Sequence, residues 1–251
     1  MSDKNSESSL SNYGIYTISE NLEFTLPNVE IKIEKMGEHV FSYVRKDAEE
    51  NILKKIIPIK SSDLTIELCP IRPLNHPARR TSHVYLDFES PIFLSEGSAA
   101  TVFVSCPIEI GVFLVHGKHK DSLDCFTCDP AHSRFCLYGS PESGTLCKYT
   151  KSEIVESYED STPFHNGILK INIKNELDHG FTISKIVFPI SENSLYYKNS
   201  KTIIDSLTAT LKKKLALEII DIDANSIQID WTRSPTYEAI ESVRHMDMGV
   251  D

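Results

Sequence analysis

The sequence has no apolar run approaching roughly 18 residues, the length that a membrane-spanning helix requires. Its first 12 residues are polar and lack the apolar core of a secretory signal, so we expect a cytoplasmic location. In that reducing compartment the 6 cysteines are expected to be free thiols rather than a disulfide framework. The missing apolar segments therefore predict a soluble chain with no membrane span.

Basic residues are also scarce, with 26 Lys and Arg against 36 Asp and Glu and a formal net charge of -10. Proteins that bind nucleic-acid backbones neutralise the phosphates with clustered Lys and Arg. We therefore expect no nucleic acid among the partners. A protein partner or a second copy of the chain is expected instead, because the edges and faces of strands suit protein contact.

Signature motifs of several enzyme classes are absent. The sequence contains no Gly-x-Ser-x-Gly, no His-Glu-x-x-His and no Gly-x-Gly-x-x-Gly. Acidic pairs occur at Asp87/Glu89 and Asp221/Asp223, but exposed acids are expected in so acidic a chain. The sequence thus predicts no cofactor and favours a protein that is not an enzyme.

The chain is rich in short strand-like segments punctuated by Gly, Pro and Asn. Residues 29–34 alternate apolar and charged side chains, which is typical of a strand with one face in water. Residues 108–115 are nearly all apolar, which predicts a strand buried on both faces, and Gly111 indicates a bulge or a close backbone approach. Further strands are predicted at residues 13–18, 39–45, 52–59, 64–68, 84–89, 91–94, 101–105, 135–138, 145–150, 168–173, 181–188 and 227–231.

Residues 201–220 fit two patterns. Apolar side chains recur there every fourth position, at Ile203, Leu207 and Leu211, as on one face of a helix. The two-residue spacing of Leu207, Ala209 and Leu211 also fits a strand. We favour a strand.

The predicted fold is mainly β, with few or no long helices. It consists of two sandwich-like antiparallel halves or of one large β-sandwich, and 251 residues suffice to bury a sizeable core. The predicted segments are a disordered tail (1–12), an N-terminal β half (13–118), a C-terminal β half (119–232) and a polar tail (233–251).

Two clusters offer candidate ligands for a metal ion. Cys125 and Cys128 form a Cys-x-x-Cys pair, and His132 and Cys136 follow. There is no second Cys-x-x-Cys and no paired His, so reduced cysteines that pack as small apolar residues are the better interpretation, and no metal is predicted. The other cluster fits an anion or metal site, although a solvated hairpin loop is the simpler interpretation; it comprises His116, Lys118, His119 and Lys120.

The best candidate binding residues lie in the loop at residues 138–144 and in the strand that follows it. The two glycines of the loop could expose backbone amides to an anion. A tight turn explains the Gly and Pro residues more simply, because the loop lacks the phosphate-loop motif. The candidate binding residues are Tyr138, Gly139, Gly144, Lys148, Tyr149 and Glu153.

Three blocks of residues together carry a resemblance to a known family. They are Pro107-Ile108-Glu109-Ile110-Gly111-Val112-Phe113, Leu137-Tyr138-Gly139-x-Pro141-x-x-Gly144, and Cys147-Lys148-Tyr149 with Lys151-Ser152-Glu153. With the opening Tyr13-Gly14-x-Tyr16, they resemble the archaeal family called "domain of unknown function 432", over roughly residues 13–231. The resemblance implies an archaeal, cytoplasmic, β-rich protein. It brings no established activity, cofactor or catalytic residue.

Three functional hypotheses follow. The leading one is a non-catalytic binding or assembly module, because no catalytic constellation is present. The second is a small-ligand-binding protein or enzyme with a pocket formed by residues 138–144 and 148–153. The third is a zinc-stabilised β protein.

Overall fold

The computed structural model describes residues 12–75, 81–129, 134–215 and 217–237. These residues form 19 β-strands and two 3-10 helices, Tyr158–Asp160 and Ile190–Glu192. The predicted mainly β fold with few or no long helices is confirmed, with 66% strand and 3% helix. No helix within the described ranges is long and apolar enough to cross a membrane.

The strands are numbered in chain order. The first ten are β1 (Gly14–Ile18), β2 (Asn21–Leu26), β3 (Val29–Gly37), β4 (Val40–Asp47), β5 (Ile52–Pro58), β6 (Leu64–Ile71), β7 (His83–Leu94), β8 (Ala99–Pro107), β9 (Glu109–His116) and β10 (His119–Phe126). The others are β11 (Arg134–Tyr138), β12 (Thr145–Ser152), β13 (Ile154–Val155), β14 (Asn166–Asn175), β15 (Phe181–Pro189), β16 (Leu195–Lys198), β17 (Lys201–Lys214), β18 (Leu217–Asn225) and β19 (Thr232–Arg233).

The strands form four sheets. Sheet A has the order β2-β3-β4-β5 and sheet B the order β1-β6-β9-β10, and both are antiparallel throughout. Sheet C has the order β11-β12-β7-β15. Sheet D has the order β13-β8-β14-β17-β16-β19, with β18 also paired to β17. Two pairs are parallel, β7 with β12 and β14 with β17, so the predicted antiparallel arrangement holds for all other pairs.

The sheets pack against one another in a sandwich-like arrangement. Sheets A and B meet, for example, through the rings of Tyr16 and Phe24, whose centroids are 5.0 Å apart. Sheets C and D meet where Ser152 Oγ donates a 2.6 Å hydrogen bond to the carbonyl of Ser105. Buried apolar side chains from all four sheets form one connected core.

The predicted boundary between residues 118 and 119 lies in the turn between β9 and β10. Strand pairing crosses it, because β10 belongs to sheet B, whereas β7 and β8 belong to sheets C and D. The division into an N-terminal and a C-terminal domain stays a prediction. The predicted tail at 1–12, except Asn12, and most of that at 233–251 lie outside the described residues.

Alternation in the sequence sets the faces of β3. Val29, Ile31 and Ile33 are buried, and the charged Glu30 and Lys32 between them are exposed. Because successive side chains of a strand point to opposite faces, this pattern leaves one face of sheet A to the core and one to solvent.

The predicted buried strand at residues 108–115 is β9, which lies between β6 and β10 in sheet B. Its first five residues are all buried. A Cβ added to Gly111 would lie 2.7 Å from Phe113 Cε2 and 2.8 Å from Ile71 Cγ2, so side chains rather than backbone approach this glycine closely. The irregularity of this hairpin lies on β10, between Ser122 and Asp124.

Other strand predictions had mixed outcomes. The strand favoured at residues 201–220 is confirmed as the β17–β18 hairpin. The strand predicted at residues 227–231 is wrong, because strand pairing resumes only at Thr232 and Ile227 N instead donates to Asp205 Oδ1 at 3.1 Å. Sequence patterns did not indicate β2 or β10.

Candidate ligand-binding site

A cavity of about 510 Å³ lies where sheets B and D meet. Its walls come from β6 and the segment after it, from β10, from residues 191–195 and from residues 233–237. We call it the basic cavity and define it by Arg72, Lys120, Ser194, Arg233, Ser234 and Tyr237.

Arg72 is brought to the cavity by the end of β6. The strand ends after Pro70 and Ile71, and Leu74 N donates to the carbonyl of Arg72 at 2.8 Å, which closes a tight turn. Arg72 Nε donates to the carbonyl of Asn193 at 2.7 Å. The guanidinium is therefore held in place by the backbone of the neighbouring segment.

Lys120 is held by a buried acid. It is the second residue of β10, and its ammonium group forms an ion pair with Glu67, whose side chain is completely buried. The hydroxyl of Tyr197 donates to Glu67 Oε1 at 2.9 Å, which ties sheet D to sheet B. Burial and the Glu67 charge raise the pKa of the Tyr197 phenol, so this donor stays protonated.

Arg233 approaches from the last strand. β19 pairs with β16, and Arg233 Nη2 donates to Ser194 Oγ at 2.7 Å. Ser194 is itself fixed, because its N–H donates to Asp205 Oδ2 at 2.7 Å. A cation positioned in this way needs little reorganisation to meet an anion.

The charge of the described lining is one-sided. It includes three basic residues, Arg72, Lys120 and Arg233, and no Asp or Glu. The whole chain, by contrast, carries a formal net charge of -10. Because a cleft lined by one sign of charge focuses the electrostatic field, the basic cavity is suited to an anion.

Polar and apolar groups share the rest of the wall. Ser234 Oγ is buried and has no hydrogen-bond partner among the described residues, an arrangement that a bound polar ligand would relieve. Tyr237 packs edge-on against Phe113 at 5.9 Å between ring centroids. Burial and, to a smaller extent, a hydrogen bond with Cys125 raise the pKa of the Tyr237 phenol, which therefore stays neutral. Leu74 and Leu195 add apolar surface.

A second, smaller cavity of about 250 Å³ contains two of the residues predicted from sequence. We call it the Lys148 cavity and define it by Thr127, Asp129, Arg134, Lys148, Lys151 and His165, with Tyr149 also in its wall. Lys148 is only 9% exposed, and its Nζ lies 3.1 Å from Glu109 Oε1. The Tyr149 hydroxyl donates to Asp87 Oδ2 at 2.6 Å.

A family model described as "Protein of unknown function (DUF432)" matches residues 12–241. The chain belongs to the DUF432 family. The resemblance drawn from the sequence blocks is thereby confirmed as to family. No curated protein and no solved structure matches the chain. Since the family carries no assigned activity, function has to be argued from the site.

One block that carried the DUF432 resemblance is the turn between β11 and β12. Gly139 has φ +107°, and Gly144 N donates to the carbonyl of Ser140 at 2.7 Å. A Cβ on Gly144 would lie 2.6 Å from Ser140 O, so close packing within the turn requires glycine there. Tyr138 is about half exposed at the end of β11, with its ring 6.2 Å from that of Tyr85.

The six predicted binding residues are therefore not gathered in one site. Lys148 and Tyr149 line the Lys148 cavity, whereas Tyr138, Gly139 and Gly144 are not among its lining residues. Glu153 is exposed, and its N–H donates to Ser105 Oγ at 3.0 Å. Ligand binding by these residues stays a prediction.

The candidate metal ligands do not cluster where the structure can be described. Within the described ranges no three His, Cys, Asp or Glu side chains are placed to hold a metal ion, and His132 lies outside those ranges. Burial raises the pKa of Cys125 to about 11 and of Cys128 to about 12, and also raises that of Cys136. Without a metal ion these cysteines are therefore thiols at neutral pH.

The residues of the basic cavity were mostly missed by sequence reasoning. Lys120 belonged to the polar cluster at residues 116–120, which was interpreted as a solvated hairpin loop. Arg72 and Arg233 are single basic residues with no motif around them. Their one shared signal is local, since each stands within two residues of a proline.

Proposed function

We propose that this DUF432 protein is a non-catalytic binding protein that holds a small organic anion in the basic cavity. The observation that carries the proposal is the pair of cations Arg72 and Arg233, beside Lys120 with its buried partner Glu67, in a described lining without a carboxylate. The cytoplasmic location and archaeal source expected from the sequence are part of the proposal.

The dimensions support an organic ligand. Pockets for small molecules typically enclose roughly 300–1,000 Å³, and the basic cavity holds about 510 Å³. Its cations and the Ser234 hydroxyl suit a phosphate or carboxylate, while Leu74, Leu195 and Tyr237 suit an apolar or aromatic part of the same ligand.

Binding without catalysis is favoured by the side chains present. The described lining contains no Asp, Glu or His to act as a general base, and its Ser and Thr hydroxyls are weak nucleophiles without one. Lys120 is paired with the buried Glu67, and burial keeps the Tyr237 phenol protonated. The cavity therefore offers positive charge and hydrogen-bond donors for holding an anion.

A thermal-shift screen tests the proposal. The panel comprises nucleoside monophosphates, sugar phosphates and di- and tricarboxylates, with uncharged nucleosides and sugars as matched controls. A rise in Tm for anionic members, which is lost in Arg233→Ala and kept in Lys54→Ala, is expected; Lys54 is an exposed cation on edge strand β5. Equal shifts with charged and uncharged compounds would reject the proposal.

Assembly of two copies of the chain is a second candidate. Leu215 and Leu217, at the tip of the β17–β18 hairpin, are 97% and 70% exposed, and contact with a second copy would remove them from water. Light scattering of the wild type and of Leu217→Lys tests this: a dimer that dissociates in the variant is expected, and a wild-type monomer at high concentration would reject assembly.

A further inference from the structure

The Lys148 cavity has a charge pattern of its own. Arg134 at the start of β11 and Lys151 of β12 line it together with Lys148, and Asp129 is the one acid in its described lining. Lys148 is balanced by the buried Glu109. Arg134 and Lys151 therefore accompany a single carboxylate among the described lining residues, whose net charge is positive.

The size and donors of the cavity limit what it can hold. Its volume of about 250 Å³ falls below the roughly 300–1,000 Å³ of pockets for organic ligands, so one oxyanion with its waters is the better fit. Thr127 Oγ1 accepts from Asp129 N at 3.2 Å, and its hydroxyl hydrogen can be directed at an anion. An arginine such as Arg134 can clamp a phosphate or carboxylate with two parallel hydrogen bonds.

We propose that the Lys148 cavity is a second anion-binding site, which takes a single phosphate or carboxylate group. Arg134 and Lys151 supply the charge, and Lys148 is held in position by Glu109. The site shares no lining residue with the basic cavity, so it is independent of the function proposed above.

Calorimetric titration with inorganic phosphate and, separately, with acetate tests the second site. Arg134→Ala is expected to weaken binding at least about tenfold, because a charge-assisted clamp is removed. Lys151→Ala is expected to weaken binding less. Lys174→Ala, which removes an exposed cation from β14, is expected to leave it unchanged. Arg233→Ala alters only the basic cavity, so anion binding that remains in this variant belongs to the second site.

Two results would overturn the second site. One is the absence of binding of either anion to the wild type. The other is anion binding that survives both Arg134→Ala and Lys151→Ala. If that binding is lost only in Arg233→Ala, the anion belongs to the basic cavity. Arg134 and Lys151 are exposed, so both variants are expected to fold, and urea unfolding provides the check.

Discussion

Glu109 Oε1 lies 3.1 Å from Lys148 Nζ, and both side chains are buried. The same carboxylate accepts hydrogen bonds from Asn75, whose N–H lies 3.1 and 3.0 Å from its two oxygens and whose Nδ2 lies 3.0 Å from Oε2. Asn75 lines the basic cavity and Lys148 lines the other. One buried acid on β9 thus supports a wall of each cavity.

Glu109→Gln is expected to destabilise the fold by about 3 kcal/mol, because it leaves the buried Lys148 charge without its carboxylate. Lys148→Met is expected to cost a similar amount, and the double variant much less than the sum of the two. Urea unfolding of the four proteins measures this cycle. Strictly additive costs would show that the pair does not act as a unit.

Asp124→Ala is expected to loosen sheet A from sheet B. Asp124 Oδ2 accepts hydrogen bonds from Tyr43 Oη at 2.8 Å and from Arg45 Nε at 2.7 Å, and all three side chains are largely buried. Loss of the acid leaves the Arg45 guanidinium without its closest carboxylate, at a cost of about 3 kcal/mol. The matched control, Glu34→Ala, removes an exposed acid from β3 and should change the unfolding free energy by less than about 0.5 kcal/mol. Similar urea midpoints for the two variants would contradict this role.

Sequence periodicity predicted the strands that have one face exposed to solvent. β3 is an example, because its charged residues alternate with buried ones. In β17 the run from Thr202 to Leu207 is buried on both faces, so apolar spacing cannot separate strand from helix there. Residues 227–231 alternate as a strand would, but the Asp205 carboxylate satisfies Ile227 N in place of a neighbouring strand.

The basic cavity could not be predicted, since it forms only when sheets B and D pack together. Its cations are 48 and 113 residues apart in the chain, at Arg72, Lys120 and Arg233. Arg72 and Arg233 stand in no local motif, and the cluster that contains Lys120 was explained more simply as a solvated hairpin loop. Lys148, by contrast, was predicted from its place in a strand beside a glycine-containing loop, although its buried partner Glu109 was not.

Stability is expected to fall in alkali. Burial raises the pKa of the Cys106 thiol from 9.0 to about 12, so above pH 9 the unfolded chain loses a proton that the folded chain keeps. The associated stability is complete below pH 9 and is lost as the pH rises to about 12, at roughly 1 kcal/mol per pH unit for this group. Urea unfolding in reducing buffer at pH 8, 10 and 11 measures the slope. Cys106→Ala should reduce the slope by that amount, and an unchanged slope would contradict the assignment.

Gly144→Ala is expected to destabilise the protein by about 1–3 kcal/mol, since the new methyl group would meet Ser140 O and Leu137 Cγ at 2.6 and 2.8 Å. Gly37→Ala is the control, because nothing lies within 4 Å of its added Cβ. Thermal unfolding compares the two variants. Equal Tm values would mean that the turn tolerates a side chain and that packing does not explain its glycine.

The most direct test of the central claim is calorimetric titration of the strongest anionic ligand from the screen into the wild type, Arg233→Ala and Lys54→Ala. Arg233 lies in the cavity wall, where its Nη2 donates to Ser194 Oγ. Loss of this cation should weaken ligand binding by about tenfold or more. The Lys54→Ala variant should bind the ligand as the wild type does. Equal affinity in all three proteins, or no binding by the wild type, would contradict the assignment of the basic cavity as an anion-binding site.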